Sequence, residues 1–254
     1  MSTMPLISEA ARDCIISIEV GPDKVKYSVY KSVLMHYSKY FHNSLGGSWK
    51  EAANNMIQIT DIDPSIFNIF VNWLYRQALP VSLEDWVITA ELTKLSSNLL
   101  PTQLCNMLKM KTYVFADRFQ VPALRKALQR EIASPNIDCA PSFDMIIYAF
   151  ENLREGDPIL LFLVDSTCMF WNPFQSSNEE KAMLSRLPHD YLAMAFTRYG
   201  RLVMTQWGNA PRKLGDVCQY HEHESVDEKQ ACERAQQGSQ TALVLTNTGW
   251  HVCS

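Results

Sequence analysis

Apolar and polar positions change period several times along this chain, and each change marks an element. Ile16, Ile18 and Val20 alternate with Ser17 and Glu19, and Val25, Tyr27 and Val29 alternate with Lys24, Lys26 and Ser28. A period of two places successive side chains on opposite faces, so both runs predict half-buried strands. Gly21-Pro22-Asp23 between them is turn chemistry and predicts a hairpin. Two short helices follow, with Val33, Leu34, Tyr37, Tyr40, Phe41 and Leu45 as core candidates, and a Gly46-Gly47 turn. Met56 to Ile59 predicts a third short strand, and Trp49-Lys50-Glu51-Ala52 before it reads as a lid over the sheet edge. Three short strands cannot enclose a core, so the helices must cover them. Ile62-Asp63-Pro64 opens the next helix: Asp63 is a good N-cap, and Pro64 suits the first helical position, where no backbone donor is needed. On it Ile66, Ile69, Phe70, Trp73 and Leu74 fall on one broad apolar face.

The remaining chain keeps a helical period. Ser82 to Asp85 has capping-box spacing and predicts a helix carrying Trp86, Val87 and Ala90. Ser96-Ser97-Asn98 reads as a loop, and Pro101 opens a helix with Leu104, Met107, Leu108, Val114 and Phe115 as its stripe. A closing helix runs through Arg125 to Ile132, and Asp138 to Ser142 is a break. Three further helices are predicted. The first carries Phe143, Ile146, Ile147 and Phe150; the second opens at Pro158 with Leu161, Val164 and Cys168. The third opens at Pro188 with Tyr191, Leu192, Ala195, Phe196 and Tyr199. The expected organisation is a lead-in over 1–12, an α+β domain over 13–135, an all-α extension over 136–200 and an irregular tail over 201–254.

The first of these regions resembles the BTB (POZ) domain. The family pattern is a strand ending in an aromatic, a short helix, Ser-x-Tyr-Phe, then Asp-Pro-x-x-Phe and a Trp-Leu-Tyr helix end. Here it reads Tyr27, Tyr30-Lys31-Ser32-Val33-Leu34, Ser38-Lys39-Tyr40-Phe41, Asp63-Pro64-Ser65-Ile66-Phe67 and Trp73-Leu74-Tyr75, with Tyr30 in the place of the family's usual His. The run from Tyr113 to Leu124 resembles the helix pair that closes the domain, and Tyr148 to Asn152 with Leu163-Val164-Asp165 resembles the C-terminal extension of fungal BTB proteins. The resemblance implies a small three-stranded sheet covered by helices. It also implies a non-catalytic module for homo- or hetero-association, with a homodimer or a protein partner expected. Some family members dock onto cullins, so a cullin-dependent ubiquitin-ligase substrate adaptor is the alternative. The chain has no solenoid repeat and no room for a kelch, ankyrin or zinc-finger array.

Composition removes other classes. Of the 254 residues 47% are hydrophobic and 20% charged, which predicts a packed core. A formal net charge of -4 supplies no global positive field, so nucleic acid is not an expected partner. The longest aliphatic-aromatic run, Ile159 to Val164, is too short to span a bilayer, and the N-terminus lacks a signal-peptide layout. Seven cysteines, an odd number, fit a reducing compartment, so an intracellular protein of cytoplasm or nucleus is expected.

One constellation carries candidate chemistry. Cys218-Gln219-Tyr220-His221-Glu222-His223 is followed by Cys232. Two thiolates and two imidazoles are a suitable tetrahedral set for zinc, and metal can organise a polar stretch that lacks a core. The competing reading is a mobile acidic tail in which Cys and His fall together by chance. His251 and Cys253 are substitute ligands. Four protein ligands would make the site structural, because no position is left for substrate or water. Two more readings use the same residues: a metal-dependent enzyme with Glu222 as general base, and a zinc-containing transcriptional or nucleic-acid-associated regulator. The enzyme needs an open metal position, and the regulator lacks a basic helix. Asp117 and Arg118 could be read as a catalytic pair, but a turn charge and a helix cap suffice.

Overall fold

The computed structural model of the chain describes residues 7–10, 12, 14–46, 56–92, 101–134, 139–205 and 217–243. The predicted lid at Trp49, the loop at Ser96 to Asn98, and His251 and Cys253 lie outside the described residues. The chain divides into two compact units, 1–128 and 129–254.

The first unit is built on a sheet of order β2-β1-β3. A four-residue helix α1 (Ile7–Ala10) precedes it. Strands β1 (Ile15–Val20) and β2 (Val25–Tyr30) form the predicted hairpin, in register from Ile15↔Tyr30 to Val20↔Val25. Strand β3 (Met56–Ile59) lies parallel to β1, pairing Ser17↔Met56 to Val20↔Ile59. Ile16, Ile18 and Val20 are fully buried, and Ile57 and Ile59 continue that face. The outer strand β2 buries only Val29; Val25 at its start is exposed. Gly21 turns the hairpin with φ +76, and an added Cβ would meet Pro64 Cδ at 3.1 Å. Glycine is therefore required here for both conformation and space.

Helices α2 (Lys31–Tyr37), α3 (Lys39–Gly46), α4 (Pro64–Arg76), α5 (Leu83–Thr89), α6 (Pro101–Arg118) and α7 (Pro122–Ile132) complete it, the last turn of α7 from Gln129 belonging to the second unit. The caps form where the sequence placed them. Asp63 accepts from the Ser65 N–H at 2.9 Å, and Ser82 and Asp85 exchange reciprocal bonds of 3.0 Å. The core is aromatic. Phe115 lies 4.9 Å from Phe70 and 4.4 Å from Phe119 between ring centroids, and Phe119 stacks on Phe41 at 5.5 Å. Ser38 is fully buried and locks this cluster by donating to the Phe119 carbonyl at 2.6 Å. The stripe expected on α6 is shifted: Cys105, Leu108, Thr112 and Phe115 are buried, whereas Leu104, Met107 and Val114 are half-buried.

The second unit is helical among its described residues: α8 (Phe143–Asn152), α9 (Pro158–Phe170), α10 (Asn178–Met183), a 3-10 turn (Leu184–Arg186), α11 (His189–Thr205), a second 3-10 turn (Val217–Tyr220) and α12 (Val226–Leu243). Helix α9 is the centre, buried nearly all round, with Asp157 capping Ile159 N–H at 3.0 Å. Two faces differ from expectation. Leu161 on α9 is exposed, and on α11 Leu192, Phe196 and Tyr199 are exposed. The inner positions of α11 are Tyr191, Ala195, Arg198 and Leu202, the neighbouring helical stripe. Periodicity offered two apolar stripes, and the ion pair of Arg198 with Asp165 on α9 selects between them.

Within the stretch expected to be irregular, α12 forms an 18-residue helix. Its start is a capping arrangement that hydropathy alone does not reveal: Ser225 accepts from the Glu228 N–H at 3.1 Å, while Glu228 accepts from the Glu224 N–H at 2.8 Å.

Candidate metal centre

Three chain segments of the second unit build this site. The 3-10 turn at Val217–Tyr220 carries Cys218, which is 3% exposed. With three residues per turn, residues three apart eclipse one another. His221 closes that turn, its N–H donating to the Cys218 carbonyl at 3.2 Å, so Cys218 and His221 fall on one side. His223 follows in the loop, and Cys232 comes from the second turn of α12. One nitrogen or sulfur from each of Cys218, His221, His223 and Cys232 lies within 4.8 Å of all the others. Zinc bonds of about 2.0–2.3 Å in a tetrahedron separate donor atoms by roughly 3.3–3.8 Å, so the set needs only a small contraction to close on an ion.

Both imidazoles are placed to bind an ion. His221 Nδ1 stands 3.2 Å from Cys232 Sγ, and Nε2 stands 3.1 Å from the Ala133 carbonyl. A proton on Nε2 donated to that carbonyl leaves Nδ1 as the ligating nitrogen, the usual outer support of a metal-bound histidine. His223 has no hydrogen-bond partner on either ring nitrogen, and both are buried. Leaving a buried polar group unmade costs about 1–3 kcal/mol, and a metal bond to one nitrogen removes that cost for it. These donors fit a cation that accepts thiolate and imidazole, and the four-ligand set is closed.

Outer contacts hold the loop. The Glu222 N–H donates to Gln129 Oε1 at 2.7 Å, and Arg130 pairs with Glu228 at 2.6 Å. Tyr220, fully buried, donates its hydroxyl to Asp165 Oδ2 at 2.5 Å and sets its ring edge-on to Phe162. Asp165 is 1% exposed and is also gripped by Arg198, through Nε at 2.6 Å and a terminal amine at 3.0 Å. The sequence reading missed this network. Its signal was Asp165 directly after the apolar run Ile159 to Val164, since a carboxylate in such a run must be paired. The Glu222 carboxylate is 3.9 Å from Arg154 and is not among the clustered ligands. Asp117 and Arg118 do not pair with each other: Asp117 meets Arg125 at 2.9 Å and Arg118 meets Asp61.

Among the described residues, no helix is long and apolar enough to cross a membrane. Burial pushes the phenol of Tyr191, on α11, up to about 12, against a hydrogen bond with Thr167 that lowers it. The same cause raises the Cys168 thiol, with Asp165 adding to the rise and Arg198 opposing it. Neither group is primed as a base or nucleophile at neutral pH.

A small sheet sealed by a cluster of helices, with caps and aromatic core at the described positions, defines an α+β fold. The sequence model of the BTB/POZ domain matches residues 8–135, half of the chain, and the chain belongs to that family. Its BTB/POZ domain is a protein–protein interaction module without catalytic chemistry. Comparison with curated proteins gives no match.

Proposed function

We propose that this chain is a non-catalytic adaptor that self-associates through its BTB domain and carries a structural zinc ion on Cys218, His221, His223 and Cys232. The family match over 8–135 carries the interaction role. Two exposed apolar side chains support self-association: Ile15 on β1 is 53% exposed and Tyr40 on α3 is 41% exposed. Apolar surface on the first strand and first helices is what a matching copy would cover. The clustered Cys/His donors and the partnerless imidazole of His223 support the zinc. A closed ligand set points to a folding role for the ion rather than a catalytic one.

Native mass spectrometry of the full chain, with and without a chelator, tests both halves. The expected result is a dimer with one zinc per chain, and loss of zinc with chelator. A monomer at every concentration overturns self-association. A metal-free chain after zinc supplementation overturns the zinc.

A further inference from the structure

We infer that Tyr220 and Asp165 are positioning residues of the metal centre: their hydrogen bond fixes the rotation of the ligand-bearing turn before an ion arrives. The inference rests on the metal reading and adds to it a residue pair that touches no ion.

Cys218, Tyr220 and His221 all belong to one 3-10 turn and the residue closing it. At three residues per turn Cys218 and His221 share a side, and Tyr220 is rotated about a third of a turn from both. Whatever holds Tyr220 therefore sets the direction in which both ligands point. Tyr220 is held firmly: its ring is fully buried against Phe162, with centroids 5.3 Å apart, and its hydroxyl donates to Asp165 at 2.5 Å. A hydroxyl-to-carboxylate bond of this length is charge-assisted and stronger than a neutral one. Asp165 cannot drift, because Arg198 grips both of its oxygens and it sits in the middle of α9. The far end of the loop is held independently by the Glu222 N–H on Gln129 and by His221 Nε2 on the Ala133 carbonyl. The ligand loop is thus pinned on one flank by a half-buried ion pair and on the other by the end of α7. A site ordered in advance spends less binding energy on ordering its own ligands.

The test measures zinc affinity of the full chain by competition with a chelator of known affinity, and reads cobalt substitution by absorption. Tyr220→Phe keeps the ring and removes only the hydroxyl. It is expected to weaken zinc binding about 10–100-fold, the usual effect of losing an outer-sphere support. Stoichiometry stays at one, and the saturated cobalt spectrum keeps its tetrahedral thiolate–imidazole signature. Asp165→Asn keeps an acceptor oxygen but loses the charge that strengthens the bond and the pair with Arg198; it is expected to weaken binding as well, and the double variant by no more than the worse single, because both act on the same bond. Tyr191→Phe is the control. It removes another buried tyrosine hydroxyl from the same unit, from a residue 2% exposed on α11, and is expected to lower stability without changing zinc affinity. Wild type that binds zinc while Tyr220→Phe binds within twofold overturns this inference alone. Equal weakening by Tyr191→Phe overturns it too, by showing a general loss of stability. A wild-type chain that takes up neither zinc nor cobalt overturns the metal reading and this inference together.

Discussion

The BTB core and the segment 217–243 are held by opposite kinds of force. In the first, Phe41, Phe67, Phe70, Phe115 and Phe119 are each at most 2% exposed and touch one another ring to ring. Each such ring removes a large apolar area from water, and no single polar contact decides the outcome. In the second, Val226 is exposed, and the anchoring contacts are polar: Tyr220 to Asp165, His221 to Cys232 and Ala133, and Glu228 to Arg130, beside the proposed metal ligands Cys218 and His223. There the order comes from a few directional bonds, beside which the proposed metal ligands converge on one point. Distributed apolar burial tolerates the loss of any one polar contact, whereas a convergent set depends on each member.

Metal removal is expected to break this comparison open most widely. Structural zinc sites contribute apparent energies of about 10–16 kcal/mol in small peptides, enough to decide whether a segment folds. Chelation of the full chain, followed by hydrogen exchange, should strip protection from residues 217–243 and leave the strands 15–20 and 25–30 protected. His223→Ala should reproduce the effect without chelator. Unchanged protection in 217–243 after chelation would show that Tyr220, Gln129 and Arg130 hold the segment unaided.

Next in size is a cavity in the aromatic core. Phe115→Ala should lower the stability of the BTB unit by about 3–5 kcal/mol. Zinc stoichiometry should stay as in wild type, because none of the four proposed ligands lies in residues 1–128. A denaturant melt followed by near-ultraviolet dichroism, with zinc measured in the same samples, checks both. A loss of less than about 1 kcal/mol would mean the site collapses to refill the cavity.

These two regions were unequally legible in the sequence. The core, the three strands and the caps at Asp63 and Ser82 followed from local rules: period two, period 3.6, and short polar side chains ahead of apolar runs. The ligand set was legible by residue type. Its support was not, because Asp165, Arg198 and Tyr220 are far apart in the chain and only the fold brings them together. The helix at Val226–Leu243 was missed for a different reason. Its apolar stripe is weak, yet Ser225-x-x-Glu228 is a capping signature written in the sequence. On α11 the failure was one of phase: an apolar stripe does not say whether it faces a core or water.

That missed cap sets the third prediction. Ser225→Ala should cost about 1 kcal/mol at the start of α12, read as roughly fivefold faster amide exchange over its first turn. The zinc content should be unchanged. Equal exchange in both chains would mean that the Glu228 pair with Arg130 and the proposed metal bond of Cys232 suffice to hold the helix end.

The smallest expected effect concerns the exposed ion pair of the BTB unit. A hydrogen bond from Arg118, helped by its charge and opposed by desolvation, holds the Asp61 carboxyl below the ordinary carboxylate value. A depressed folded pKa stabilises the fold above the unfolded pKa, and that stability is lost as pH falls through the folded pKa. Asp61 and Arg118 are 57% and 51% exposed in their side chains, so solvent screening leaves only a few tenths of a kcal/mol. Arg118→Ala should therefore differ slightly from wild type at neutral pH, and the difference should fade as the solution is taken below the usual carboxylate range. Added salt should shrink it in the same direction. The Arg118 guanidinium also lies 5.2 Å from the Phe119 ring. A difference that persists at low pH and high salt would assign Arg118 to covering that ring, and the aromatic cluster would extend to the surface of the BTB unit.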